Sequence, residues 1–94
     1  MAELTDALLD ELEGLASAGT QGPWKSMVEG RDHVSGDSFI KVGAGDARRE
    51  DIYVFRERRF ADGADLDLIA AARSYLPDLV AEVKRLRLLL KGGG

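Results

Sequence analysis

The hydrophobic pattern divides the chain into stretches with different periods. Leucines recur at helical spacing in residues 1–22, whereas β-branched and aromatic side chains alternate or run together in residues 23–60. Helical spacing returns in residues 61–91, and the glycines at 92–94 are expected to form a flexible tail. This order predicts one α+β domain over residues 1–91.

The first stretch predicts an amphipathic helix that runs to about Ala18. Thr5 is a suitable N-cap, and Asp6 lies in the first turn, where the helix dipole favours an anion. Two glycines and a proline in residues 18–23 then end the helix. The apolar stripe of this helix consists of Leu4, Leu8, Leu12 and Leu15, joined by Leu9 and Ala16.

The middle stretch predicts a three-stranded antiparallel β-meander, with strands at about 24–29, 37–42 and 51–57. The strongest strand signal is Ile52–Phe55, which is wholly β-branched or aromatic. Between the second and third strands, Gly43–Asp46 predicts a flexible hairpin loop, because it lacks the Gly-Lys-Ser/Thr ending of a phosphate loop.

The last stretch predicts C-terminal helices that carry a heptad seam. Pro77 removes a backbone hydrogen bond and crowds the carbonyl of residue 73, so we expect a break or sharp kink there, with Ser74 as the new N-cap. The apolar residues of the seam follow spacings of three and four residues: Leu76, Leu79, Val83, Leu86 and Leu90.

The seam has two interpretations. It packs on the protein's own sheet or first helix, or it joins copies of the chain as a coiled coil. Leu88 and Leu89 add apolar surface outside the seam, which one intramolecular partner would leave in water. We therefore favour a homo-oligomer held together by this segment.

Charge and composition narrow the function. The 94-residue chain has a net charge of -4 and no cysteine, which excludes disulfides and cysteine-ligated metals and argues against a nucleic-acid partner. No apolar run approaches the roughly 18 residues of a membrane span, so we expect a soluble, cytoplasmic protein without a membrane partner. The two ends of the chain have opposite charge. Residues 1–22 hold five acidic and no basic side chains, and all the charged side chains after Glu82 are basic. An attraction between the ends is expected.

No catalytic, metal or cofactor site is predicted. His33 is the only histidine, and its turn-like surroundings indicate a solvated loop residue. Adjacent carboxylates such as Glu50 and Asp51 are explained by solvated turns and helix caps without acid or base catalysis.

Four side chains are candidates for ligand binding. Trp24 is either a core anchor between sheet and helices or a platform on which a ligand stacks. On an extended strand Arg56 and Arg58 would point to one side, about 7 Å apart, with Arg48 nearby in sequence. Such a cluster can clamp phosphate or carboxylate, or it can be a solvated edge strand paired with neighbouring acids.

The order of three segments carries a family resemblance. These are the leucine-rich acidic opening, then Thr20-Gln21-Gly22-Pro23-Trp24, and finally the helix Ala64–Arg73, which leads through Leu-Pro-Asp-Leu to a Glu-Val-Lys-Arg-Leu-Arg ending. The chain thereby resembles the Ead-like proteins of bacteriophages and prophages. Gln21 replaces the proline of the usual T-P-G-P-W segment, and Leu68 stands where phenylalanine is common. The resemblance implies a phage or prophage accessory protein, and the family has no catalytic residues to carry over.

Together these observations predict a non-enzymatic accessory protein that self-assembles through its C-terminal helix and binds a host component. The alternative is a small-ligand binder that sequesters an anionic metabolite or signalling nucleotide through the tryptophan and the arginines.

Overall fold

The computed structural model describes residues 4–93 and has the predicted α+β class. Its elements in chain order are α1 (Asp6–Ala18), β1 (Trp24–Met27), β2 (Phe39–Val42), a short 3-10 helix (Gly45–Ala47) and α2 (Gly63–Gly93). The described chain forms two compact units. The helical unit comprises residues 4–20 and 75–93, and the sheet unit comprises Gln21–Ser74.

Helix α1 begins after Thr5, as the sequence predicts. The Thr5 hydroxyl accepts a hydrogen bond of 3.1 Å from the backbone N–H of Leu8, so it satisfies one of the free donors at the helix start. At the other end the N–H of Gly19 donates to the carbonyl of Leu15. Leu9 and Ala16, one heptad apart, are the buried residues of this helix.

Helix α2 is continuous, so the break predicted near Pro77 is wrong. Pro77 lies inside the helix with its side chain exposed to solvent, and buried residues on either side of it, Leu66 and Val80, hold the helix in place. Ser74 is not an N-cap. Its hydroxyl accepts from the N–H of Trp24 at 3.2 Å and donates to the Trp24 carbonyl at 3.0 Å. Gly92 and Gly93 are the last residues of α2, and Gly94 lies outside the described residues.

Two of the three predicted strands form. β1 and β2 pair antiparallel, with Trp24 opposite Val42 and Met27 opposite Phe39. The third predicted strand, 51–57, is wrong, because this stretch pairs with β2 only through Ile52, whose two backbone hydrogen bonds with Ile40 are 2.8 and 2.9 Å long.

After Ile52 the chain leaves the sheet, because residues 54 and 55 pair with residues 60 and 61 instead of with β2. The N–H of Ala61 donates to the carbonyl of Val54 at 2.8 Å, and Phe55 bridges to Phe60 across the charged turn 56–59. Local pairing thus uses backbone groups that would otherwise extend the ladder.

One side of the sheet forms the core of the sheet unit. Alternation along β2 turns Ile40 and Val42 inward, where they are buried with Ala61 and with Leu66 of α2. Four partly buried side chains pack against this cluster: Trp24, Ile52, Val54 and Ile69.

An arginine clamp ties the turn after β1 to α2 within the sheet unit. Arg31 donates to both carboxylate oxygens of Asp67 at 2.9 Å, and it also pairs with Asp32 at 2.9 Å. The Ser26 hydroxyl makes a further short hydrogen bond to Asp67. The hydrogen bonds from Arg31, followed by that from Ser26, lower the pKa of Asp67 to about 2.

The depressed pKa of Asp67 makes the clamp a source of pH-dependent stability. Its contribution is complete above the ordinary aspartate pKa, near 4, and is lost as the pH falls toward 2. We expect Asp67→Asn to lower the urea midpoint at pH 5 and to have progressively less effect toward pH 2, measured by Trp24 fluorescence. In an Arg31→Gln background the pH dependence of this effect should disappear. An equal effect of Asp67→Asn at every pH would contradict the assignment.

Candidate functional site

Ion pairs hold α1 against the C-terminal part of α2 in the helical unit. Arg87 pairs with Asp6 at 2.7 Å, and Lys84 pairs with Asp10 at 2.7 Å and with Glu13 at 3.2 Å. Residue numbers rise along α1 as they fall along α2, so the two helices are antiparallel. The attraction that the sequence predicts between its acidic beginning and basic end is therefore present.

These pairs also shift the titration of the groups that form them. The hydrogen bond from Arg87 lowers the pKa of Asp6, and the hydrogen bond to Asp10 raises the pKa of Lys84. Asp6 and Asp10 remain largely exposed, so the pairs are screened by solvent and set the register of the helices more than their stability.

The face of α2 that carries Lys84 and Arg87 is the covered face. Val80 is only 3% exposed, and Leu76 and Val83 are half-buried. At about 100° per residue these positions lie within one arc of roughly 100° around the helix.

A second face of α2 is apolar and exposed. We call it the α2 stripe, and it consists of Tyr75, Leu79, Leu86 and Leu90, which are 62%, 61%, 47% and 78% exposed. Glu82 is the one charged residue among them. It forms an ion pair with Arg85, one turn further along the helix. Contiguous exposed apolar side chains of this kind are a known mark of interaction sites.

The seam predicted from the sequence is divided between the two faces. Leu76 and Val83 lie on the covered face, whereas Leu79, Leu86 and Leu90 belong to the α2 stripe. The intramolecular interpretation is confirmed for Leu76 and Val83, which lie on the face that α1 covers, whereas Leu79, Leu86 and Leu90 remain exposed on the single chain.

Arg48 lies at a separate cavity in the sheet unit. The N–H of Gly43 donates to Pro23 and that of Arg49 donates to Val42, which bends the chain after β2 into a 3-10 turn rather than an open loop. The cavity beside this turn has a volume of about 480 Å³ and is lined by Gln21, Gly22, Asp46, Ala47, Arg48 and Arg49. Arg48 is engaged already, by Asp51 at 2.8 Å and by the Arg49 carbonyl.

The other two candidate arginines do not line this cavity. Arg56 and Arg58 both lie in the turn 56–59 between Phe55 and Phe60. The prediction that they project from one side of an extended strand is therefore wrong. Arg56 makes long ion pairs with two aspartates, at 3.7 and 3.9 Å. Within residues 4–92, Arg58 makes no ion pair.

Trp24 packs against the buried cluster of the sheet unit, where the core-anchor interpretation puts it. Its indole N–H is buried and has no hydrogen-bond partner in the described part of the chain. The cavity lined by Arg48 does not include Trp24. The structure therefore does not bring the four candidate ligand-binding residues together in that cavity.

His33 is not the solvated residue that the sequence indicates. Its side chain is 14% exposed, its Nε2 donates to the Met27 carbonyl at 3.2 Å, and its Nδ1 accepts from the N–H of Ser35 at 3.1 Å. The ring also lies 5.2 Å from that of Phe39. These contacts give the histidine a structural role in the turn after β1.

A row of aromatic rings on the outer side of the sheet was not anticipated. Phe39 points away from the core because its neighbour Ile40 points inward, and Tyr53 does so between Ile52 and Val54. The rings follow one another at centroid distances of 4.2 to 6.2 Å in the order His33, Phe39, Tyr53, Phe60 and Phe55. Strict alternation along the sequence was the signal that could have predicted this row.

The described residues hold neither a metal-binding cluster nor a helix suited to a membrane. Among the described residues no group of three or more acidic or histidine side chains is arranged to hold a metal ion. None of the helices in residues 4–93 combines the length and apolar character needed to cross a membrane. Comparison of the chain with known family models, curated proteins and solved structures gives no match.

Proposed function

We propose that this protein is a non-enzymatic interaction module that self-assembles through α2. The observation that carries the proposal is the α2 stripe, in which Leu79, Leu86 and Leu90 are exposed although the neighbouring face of the same helix is covered by α1. Burying a leucine contributes about 1.5 to 3 kcal/mol, so pairing of several such side chains can hold copies together.

The absence of catalysis is supported by the way the titratable groups are used. Both ring nitrogens of His33 are engaged in the turn, and Asp67 and Asp62 are paired with arginines. A general base needs a side chain that is free to reach a substrate proton.

The accessory role rests on the resemblance to the Ead-like phage proteins. In this role the assembled protein binds a component of the host cell, and the aromatic row on the sheet unit offers a second surface for that contact. Tyr53 and Phe55, which are 47% and 66% exposed, are the open members of the row. Aromatic side chains of this kind are enriched at protein interfaces.

Sedimentation velocity over a concentration series tests the assembly. We expect the weight-average mass to rise above that of the chain as the concentration increases through the micromolar range. A protein that remains monomeric at high micromolar concentration would remove self-assembly from the proposal.

A second candidate function is binding of a small anion in the cavity beside Arg48 and Arg49. The backbone N–H of Arg49 donates to the carbonyl of Val42, no ion pair is described for its guanidinium group, and the residue lines the cavity. A guanidinium group at a concave site suits phosphate or carboxylate. This narrower version of the ligand-binding hypothesis does not need Trp24.

Thermal shift with a panel of nucleotides and inorganic phosphate tests this second function. We expect a binder at 100 times its dissociation constant to stabilise the protein by about 2.7 kcal/mol, and Arg49→Ala to remove that shift. Arg58→Ala is the matched control, since Arg58 does not line the cavity. No shift with any anion, or equal loss in both variants, would exclude the cavity as the site.

A further inference from the structure

The α2 stripe is symmetric about its own centre. Leu79 and Leu86 are equally distant from the point between Glu82 and Val83, and so are Tyr75 and Leu90. A helix face of this kind can contact a second copy of itself in the opposite direction, with the two ends of the stripe exchanged. Two-fold symmetry requires such a self-complementary surface.

The charged residues beside the stripe are also complementary when the helix is reversed, because an acidic residue lies toward one end and a basic residue toward the other. Asp78 lies toward the N-terminal end and Arg85 toward the C-terminal end, both on the flank that α1 does not cover. Reversing one helix against another brings a carboxylate of one copy toward a guanidinium of the other. In a parallel pair the same flanks of the two helices lie on opposite sides of the interface, so this attraction between Asp78 and Arg85 is lost.

We infer that two copies of this chain pair through the α2 stripe in an antiparallel, two-fold symmetric arrangement. Leu79 packs on the partner's Leu86, Tyr75 packs on the partner's Leu90, and Asp78 lies near the partner's Arg85. Opposed helix dipoles favour the same orientation. The inference rests on the proposed self-assembly and adds to it the number of copies and their direction.

Glu82, at the centre of the stripe, lies close to the partner's Glu82 across the two-fold axis, and this like-charge contact is moderated by the guanidinium group beside each carboxylate. Its carboxylate is already hydrogen-bonded to Arg85 of its own helix, and this hydrogen bond lowers its pKa. A carboxylate that keeps its guanidinium partner loses less on desolvation than an unpaired one.

Cysteine cross-linking tests the orientation directly, because the chain contains no cysteine of its own. Two full-length proteins are prepared, one with Leu79→Cys and one with Leu86→Cys, and one of them carries a tag that changes its size on a gel. An antiparallel dimer forms the mixed disulfide readily, whereas neither protein cross-links efficiently alone. Equivalent positions 79 would be offset by seven residues, about 10 Å along the helix, which exceeds the roughly 7 Å limit between Cα atoms of a disulfide.

The control is Leu88→Cys. Leu88 is 69% exposed, like the leucines of the stripe, but it lies about half a turn away on the helix, beside Asp6 and Asp10. Its cross-linking with either protein measures random collision, which we expect to be at least tenfold slower than the mixed reaction.

The outcomes separate this inference from the proposed function. Efficient disulfides in each protein alone would establish a parallel pair and overturn the antiparallel arrangement while leaving self-assembly intact. A dimer in sedimentation without any cross-link above the control rate would place the interface elsewhere, which also overturns the inference. A monomer in sedimentation of the reduced proteins would overturn the proposed assembly itself.

Discussion

Replacing Leu86 by glutamate is expected to convert the assembled protein into a monomer without unfolding the chain. Leu86 is 47% exposed within one chain, so the introduced carboxylate stays in water when the protein is alone. In the assembly each copy would bury an unpaired charge, which costs several kcal/mol. A loss of about 3 kcal/mol or more raises the dissociation constant at least about 100-fold. Sedimentation velocity measures the assembly, and circular dichroism measures the fold.

Two variants on the same helix serve as controls, one for a change that should not affect assembly and one for a change that should unfold the helical unit. Leu88→Glu changes an exposed leucine on the other side of α2 and should leave the assembly intact. Val80→Glu places a charge where the side chain is 3% exposed and should unfold the helical unit whatever the concentration. If Leu86→Glu behaves like Val80→Glu, Leu86 belongs to the internal core and the α2 stripe is not an assembly surface.

The parts of the fold that sequence reasoning predicted are those controlled by local chemistry. Thr5 caps α1 because a hydroxyl at that position can reach a free N–H of the first turn. The contact of α1 with the end of α2 followed from their opposite charges, and Arg87 and Asp6 realise it. β1 and β2 followed from residue type and alternation.

The errors occur where tertiary contacts outweigh a local preference. Pro77 predicts a break, but residues on both sides of it in α2 are fixed by packing, since Leu66 and Val80 are buried. Packing of this kind contributes more to a helix than the propensity of one exposed position. The third strand has the same explanation, because the pairing of Phe55 with Phe60 diverts it after Ile52.

The heptad seam was ambiguous for a geometrical reason. The end of α2 carries apolar residues at more positions than one seam needs, so two adjoining faces satisfy spacings of three and four. Only the position of α1, held by Lys84 and Arg87, selects the face that includes Val80 and leaves Leu79 and Leu86 exposed. The sequence contained both faces and no means of ranking them.

The core of the sheet unit gives the second large effect. We expect Leu66→Ala to lower the free energy of unfolding by about 2.7 to 5 kcal/mol, because Leu66 is 1% exposed and its removal leaves a cavity beside Ile40 and Val42. This is a large fraction of the roughly 5 to 15 kcal/mol that stabilises a small domain. Urea unfolding followed by fluorescence of Trp24 measures it, since that ring packs on the same cluster.

Leu68→Ala is the matched control for this measurement. Leu68 lies two residues further along α2, is 69% exposed, and loses the same atoms in the substitution. Because its side chain is mostly in water, we expect a change within about 0.5 kcal/mol. Measurement at low protein concentration keeps assembly from contributing to either value. Equal losses at both positions would mean that the helix is not oriented with Leu66 toward the sheet, and the assignment of the core would then be wrong.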